Sequence, residues 1–427
     1  MILERERRQM IHISLFRLLV LSMLLAFMIT PALAAKPVEE WNRTYGGPYG
    51  DGVWSMQGTR DGGYVMAGYT SSLGQNSDLW LVKVDSLGEQ QWDKTFGGSG
   101  EDVGYSVSQT RDGGYVVAGT TKSYGMGSEY LWLLRTDSNG TKLWDRTFGG
   151  FVSSSGDGAW SVNETKDGGY IITGYTRSFG AGAKDLWLVK TDSQGKKLWD
   201  RTFGGSKDDV GMSVVQTRDG GYVVTGRTAS YGSGKDDIWL IKTDSDGKEK
   251  WNRTFGGIEA DVGLQVLEIL DGYVITGRTE SEGAREKAFL LKADLKGKKQ
   301  WEKVYDLDSS SISVQQTSDG GFVLAGHIES KESGRDAWLA KTDASGEEQW
   351  SMRLGGPGQD MATSVVDGRD GSYAVAGITN SYGAGAEDAW LVKVGLENVA
   401  STYGNASGNA TGNGNNTSAG KVAMLDG

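Results

Sequence analysis

The sequence predicts an all-β chain, a seven-bladed β-propeller of four-stranded antiparallel blades. Three observations lead there. Tryptophan ahead of a short polar segment and an aromatic or apolar residue recurs at Trp41, Trp92, Trp144, Trp199, Trp251, Trp301 and Trp350, spaced by 51, 52, 55, 52, 50 and 49 residues. Repeats near this length mark propellers, arrays or solenoids. Within each copy, short Val/Ile/Tyr/Thr runs alternate with Gly/Asp/Ser clusters and no window holds a helical period. The two ends of the repeat region also complement each other: residues 41–45 are a lone fourth strand, and residues 364–394 supply a first, second and third strand with no fourth. Pairing them completes a seventh blade and removes two open sheet edges.

The elements follow in chain order. Residues 1–35 carry a net-basic start (Arg5, Arg7, Arg8, Arg17 against Glu4, Glu6), an apolar run over 18–30 and Ala32-Leu33-Ala34. This is the layout of a secretory signal peptide with an A-x-A cleavage site. The 13-residue run is shorter than the ~20 residues of a membrane-spanning helix. The propeller is expected over residues 36–400. In the copy that ends at Trp251, strand a is SVVQT, strand b GYVVTG, strand c DIWLIK and strand d KWNRTF. Asp-Gly-Gly at Asp61, Asp112, Asp167, Asp219 and Asp319 joins a to b, because a tight hairpin needs residues that accept positive φ. Asp-x-x-Gly from Asp85, Asp137, Asp192, Asp244, Asp294 and Asp343 joins c to d. One such sheet cannot bury both faces alone; packed radially it can, with large aromatic side chains in the wedge between blades. Strand c supplies a second aromatic layer through Trp80, Trp132, Trp187, Trp239, Trp338 and Trp390, with Phe289 in the fifth copy. Blades three, five and six carry local irregularities: a longer d–a connection over 149–158, a lost glycine at Asp271-Gly272-Tyr273, and Val304-Tyr305-Asp306-Leu307 in place of Thr-Phe-Gly-Gly.

Residues 401–427 begin as STYGNASGNATGNGNNTSAG, small, polar and low in complexity, and read as a flexible tail. Asn405, Asn409 and Asn416 there begin glycan-acceptor triplets.

The stretches DSLGEQQW from Asp85, DSQGKKLW from Asp192 and DASGEEQW from Asp343 resemble a one-residue-shorter form of the tryptophan-docking motif of quinoprotein-like (PQQ-like) propellers. The whole unit, with its DGGY(V/I)xxGxT and DxWL(V/I)KxD phrases, is similar to the propeller repeats of secreted bacterial and archaeal proteins, over residues 41–395. The resemblance implies a propeller. It spans quinone-cofactor dehydrogenases, assembly scaffolds and surface proteins of unknown role, so it selects no activity.

Composition excludes several chemistries. No cysteine is present, which removes disulfides, thiolate metal sites and cysteine nucleophiles, along with the adjacent cysteine pair of quinone dehydrogenases. The net charge of −11 argues against nucleic acid, whose phosphates need a clustered basic surface. His327 is the one histidine outside the leader, and no G-x-S-x-G elbow presents a serine. Aspartates recur before strand a, before strand c and in both turns. As ligands they would suit Ca²⁺; their presence in nearly every blade, with no D-x-D-x-D-G loop, favours turn capping instead. No catalytic residue, metal ligand or bound cofactor is assigned.

Candidate binding residues come from comparing the copies. Positions that vary while their neighbours stay fixed are free to serve a ligand. After the strand-b glycine stand Tyr69, Thr120, Tyr175, Arg227, Arg278, His327 and Ile378; at the opening of strand a stand Trp54, Tyr105, Trp160, Met212, Leu264, Ile312 and Thr363. Both sets are expected toward the rim of the d–a and b–c loops. Trp54, Tyr69, Tyr105, Trp160, Tyr175, Arg227, Arg278 and His327 then form a lopsided surface able to stack on sugars or hold an acidic group; packing around the central channel is the plainer explanation. The expected protein is exported, in the cell envelope or extracellular, non-catalytic and monomeric, with one rim facing an envelope protein or glycan. The alternative is a propeller enzyme, a quinone-cofactor oxidoreductase or a polysaccharide-active one.

Overall fold

The computed structural model describes residues 36–397 apart from 74–75, 126–128, 151–155, 284, 306–307, 331–333 and 369. The expected signal peptide 1–35, the tail 401–427 with Asn405, Asn409 and Asn416, most of the long third d–a connection, and Asp306-Leu307 lie outside the described residues. The compact unit spans Pro37–Leu396. It holds seven four-stranded antiparallel sheets, and no helix among the described residues is long and apolar enough to cross a membrane.

Blade 1 is typical: strand a Asp51–Gly58, strand b Tyr64–Thr70, strand c Asp78–Val84 and strand d Gln90–Phe96. In blade 7 the first strand among the described residues, Lys36–Tyr45, pairs with Asp388–Glu397, which continues to Tyr373–Thr379 and Asp360–Asp367. Ring closure therefore runs through the strand nearest the amino end, and that strand is longer than the 41–45 read from the repeat. The a–b turns have the chemistry expected of Asp-Gly-Gly. Gly220 has a φ of 83°, and its N–H donates to the Thr217 carbonyl at 2.9 Å. Blade 5, with its lost glycine, still turns tightly, pairing Ile269 with Gly272.

The aromatic layers sit where the wedge between blades needs volume. Trp132, Trp187, Trp239, Trp338 and Trp390 of strand c are fully buried, as is Phe289 in blade 5. The strand-d tryptophans reach the next blade: Trp92 lies 5.8 Å from Tyr115, Trp144 5.8 Å from Tyr170 and Trp350 5.6 Å from Tyr373. Six of the seven also lie against the c–d-turn glycine of that next blade, as Trp41 on Gly88 and Trp92 on Gly140, where a Cβ would come within 3 Å of the indole; Trp350 has no such partner, because blade 7 takes its fourth strand from the amino end.

One irregularity recurs in all seven blades. Strand a bulges against strand b, and the residue left unpaired is Trp54, Tyr105, Trp160, Met212, Leu264, Ile312 or Thr363. A bulge re-aims the extra side chain and leaves its own ladder partly unpaired. The residue after it, Ser in six blades and Gln265 in blade 5, accepts a hydrogen bond from strand a of the following blade. Val107 N–H donates to Ser55, Val162 to Ser106, Val214 to Ser161, Val266 to Ser213, Val314 to Gln265 and Val365 to Ser313. Met56 N–H to Ser364 Oγ, at 3.3 Å, closes the circle between the last and first blades.

Candidate functional site

The bulge residues are the variable strand-a set, and they converge on one cavity of about 390 Å³ on the ring axis. All seven line it, together with the six serines and Gln265 that follow them, Ser310, Arg278 and His327. The volume falls in the ~300–1,000 Å³ range of small-molecule sites, and the wall interleaves aromatic and aliphatic side chains with hydroxyls, a guanidinium and an imidazole.

The wall is unequal around the ring. Blades 1 to 3 contribute a continuous aromatic arc: Trp54 and Tyr105 have ring centroids 6.1 Å apart at 48°, and Tyr105 and Trp160 4.3 Å apart at 47°. All three rings are half-buried and keep surface toward the cavity. Blades 4 to 6 contribute the aliphatic Met212, Leu264 and Ile312, and above them Arg278 and His327. Trp160 Nε1 and His327 Nδ1 are buried and have no hydrogen-bond partner among the described residues. Burial first, then the Arg335 and Arg278 guanidinium groups, push the His327 imidazole down to about 4, so it is neutral at pH 7.

Five of the eight candidate residues thus share the cavity: Trp54, Tyr105, Trp160, Arg278 and His327. Tyr69, Tyr175 and Arg227 do not line it. They belong to a belt around its mouth, where carboxylates already hold their polar ends. Tyr69 donates its hydroxyl to Glu387 at 2.8 Å and Tyr175 to Glu129 at 2.8 Å. Burial, with these carboxylates, holds both phenols far above the ordinary tyrosine range. Arg227 pairs with Asp236 at 2.8 Å, and the Lys184 ammonium sits 4.3 Å over the Tyr175 ring. Arg278 pairs with Glu286 at 3.0 Å, and Glu286 stands 3.9 Å from His327 Nε2.

Glu129, Asp236, Glu286 and Glu387 were missed by the sequence comparison. Each sits just ahead of strand c, a position that reads Ser77, Glu129, Lys184, Asp236, Glu286, Arg335 and Glu387 around the ring. That position varies beside fixed neighbours just as the two chosen sets do, so the signal was there to be read.

Among solved structures the chain is similar to the WD40 β-propeller domain of Doa1, with a TM-score of 0.52 at 12% identity, covering 85% of this chain and 98% of that one. The chain has the propeller fold. A protein of unknown function from Dyadobacter fermentans (TM-score 0.45, 13% identity, 86% of this chain and 100% of that one) and the Neurospora crassa Pan2 WD40 domain (TM-score 0.48, 10% identity, 85% and 96%) are further likenesses. At these identities the likeness extends to fold alone. No family model matches the chain, and no curated protein matches it.

The described donor groups gather no calcium site of the kind that the resemblance to quinoprotein-like propellers would bring. Among the described residues no three His, Asp or Glu side chains gather so as to hold a metal. The aspartates before strand a are occupied as turn caps. Asp209, for example, takes the Ser230 hydroxyl at 2.6 Å and the Gly205 N–H at 2.9 Å, and also accepts from Thr228.

Proposed function

We propose that this protein is an exported, non-catalytic binding propeller of the cell envelope or surface, which presents the rim of its d–a and b–c loops, through the axial cavity, to a glycan or protein partner. The observation that carries this reading is the set of seven bulges. The backbone device is the same in every blade, yet the side chains it aims inward are Trp, Tyr, Trp, Met, Leu, Ile and Thr. Packing alone would be met by one residue type repeated around the ring. A graded wall, aromatic on one side and aliphatic with a guanidinium and an imidazole on the other, suits an asymmetric ligand.

The test is a glycan-array and envelope pull-down screen with the parent and with Trp54→Ala and Trp160→Ala. Capture by the parent, lost in both variants while their melting temperatures hold, supports the reading; equal capture by all three overturns it. Export and glycosylation belong to the same proposal. The mature amino terminus should read from Ala35, and glycopeptide mass spectrometry should find Asn405, Asn409 or Asn416 modified in a host that glycosylates exported protein.

A further inference from the structure

The two unlike walls of the axial cavity narrow the chemistry of its ligand. Trp54, Tyr105 and Trp160 offer π faces, which suit a flat ring with C–H groups on one side. Opposite them, Arg278 spends Nη1 on Glu286 and remains 46% exposed, leaving part of its fork open toward the cavity. Two buried nitrogens, Trp160 Nε1 and His327 Nδ1, stand without partners on opposite walls. Both atoms are closed to solvent as the side chains stand; they are unfavourable until a rotation of the indole or imidazole brings them to a ligand or water in the cavity.

We infer that the cavity binds an acidic sugar, a pyranose carrying a carboxylate, with its ring on the Trp54–Tyr105–Trp160 arc and its carboxylate on Arg278 and His327. This rests on the binding reading above and specifies its ligand class. A pyranose supplies the C–H face and a hydroxyl oxygen for the Trp160 N–H. A carboxylate supplies the two oxygens that match a guanidinium edge. A neutral sugar leaves Arg278 and His327 Nδ1 uncomplemented, and a cationic ligand meets Arg278 at the wall.

The charges around His327 agree. Glu286 is the carboxylate facing its Nε2, while Arg335 and Arg278 are the cations that disfavour protonation. Arg335 is itself paired with Glu329 at 3.3 Å. A ligand carboxylate at Nδ1 acts against the two guanidinium groups, so binding should raise the imidazole pKa.

The experiment is calorimetric titration of the full chain with digalacturonate, a glucuronate disaccharide and the methyl ester of digalacturonate. At least one acid should bind about tenfold or more tighter than the ester. Arg278→Gln should abolish that preference by weakening the acid far more than the ester, and Trp160→Ala should weaken acid and ester alike. The NMR signal of His327, identified by its loss in His327→Gln, should show a pKa raised by about one unit at saturation with acid. Equal affinity for acid and ester, an acid preference that survives Arg278→Gln, or an acidic peptide binding where no acidic sugar does, each overturns the inference. If the acids fail while another ligand is captured in a Trp54- and Trp160-dependent way, the inference falls and the binding reading stands. If no captured ligand depends on those tryptophans, the binding reading itself falls.

Discussion

Gly226 shows how tightly the bulge constrains single residues. Its φ is ordinary; what it lacks is space, because a Cβ there would lie 1.9 Å from the Val210 carbonyl oxygen pushed inward by the bulge. A Cβ on the equivalent glycine of any of the seven blades, Gly68 through Gly377, would likewise meet a strand-a carbonyl oxygen at 1.8–1.9 Å. Gly226→Ala is therefore expected to cost about 3 kcal/mol, read as a lowered urea midpoint, since the backbone must shift to admit the methyl group. Two sets of aspartates give opposite pH dependences. On the a–b side, a nearly buried strand-c Lys or Arg pairs with a turn Asp in every blade, as in Lys190–Asp167 at 3.0 Å and Lys341–Asp319 at 2.9 Å. Against partial burial, which works to raise them, hydroxyl and ammonium partners bring Asp167 and Asp319 down to about 2. Their stabilisation is complete above the unfolded value near 4 and is lost as pH falls toward 2; each is small because the carboxylates are largely exposed. Asp237 behaves in the reverse sense. Burial first, then the charges of Asp261 and Asp236, raise it to about 6 against the hydrogen bond from Ser233 N–H. The folded protein binds its proton more tightly than the unfolded chain, so this group's contribution is full below pH 4 and fades as pH rises through 6. Asp237→Asn should consequently gain on the parent by about 1–3 kcal/mol between pH 4 and pH 7, measured by urea unfolding at both values.

Between blades, the residue after each bulge, serine in six blades and Gln265 in blade 5, joins one innermost strand to the next. Ser161→Ala removes the acceptor for Val214 N–H, held at 3.3 Å, and leaves that buried donor unpaired. A loss of about 1–2 kcal/mol is expected, while Ser161→Thr, which keeps the hydroxyl, should recover most of it if the added methyl is accommodated. Denaturant titration of the two variants separates the hydrogen bond from the volume change. Strand order, both hairpin turns and the aromatic wedge were legible because each has a local signature repeated many times: Asp-Gly-Gly, Asp-x-x-Gly and Trp at fixed offsets. The bulge was half legible. Its inward residue stood out as variable, but nothing in a single strand says that the following Ser serves the neighbouring blade. Tyr69, Tyr175 and Arg227 were grouped with the others as one rim surface for the same reason. Their position on strand b was right, while their occupation by Glu387, Glu129 and Asp236 depends on side chains that three-dimensional proximity alone brings near.

The ring as a whole depends on the first strand. Tyr45 packs in the cluster with Val53, Tyr64, Trp80 and Leu391, spanning the junction of blades 7 and 1, and its hydroxyl donates to the Gly88 carbonyl at 2.6 Å. Deleting residues 36–45 should leave a three-stranded blade with an open edge and a protein that aggregates, followed by light scattering. A permuted chain that begins near Tyr49 and carries residues 36–45 after Glu397 should keep the parent's size in solution and a melting temperature close to the parent's, because the same strand meets the same edge. The amino-acid order by itself determined the blade, the blade number and the closing partner, since hairpin turns and strand periodicity are set by neighbours a few residues apart and the missing strand at one end names the surplus at the other. Only the tertiary structure decided which variable side chains meet on the axis and which are spent on the mouth. That choice is made by seven bulges and by contacts between blades some 50 residues apart, distances over which a linear text carries no record of direction.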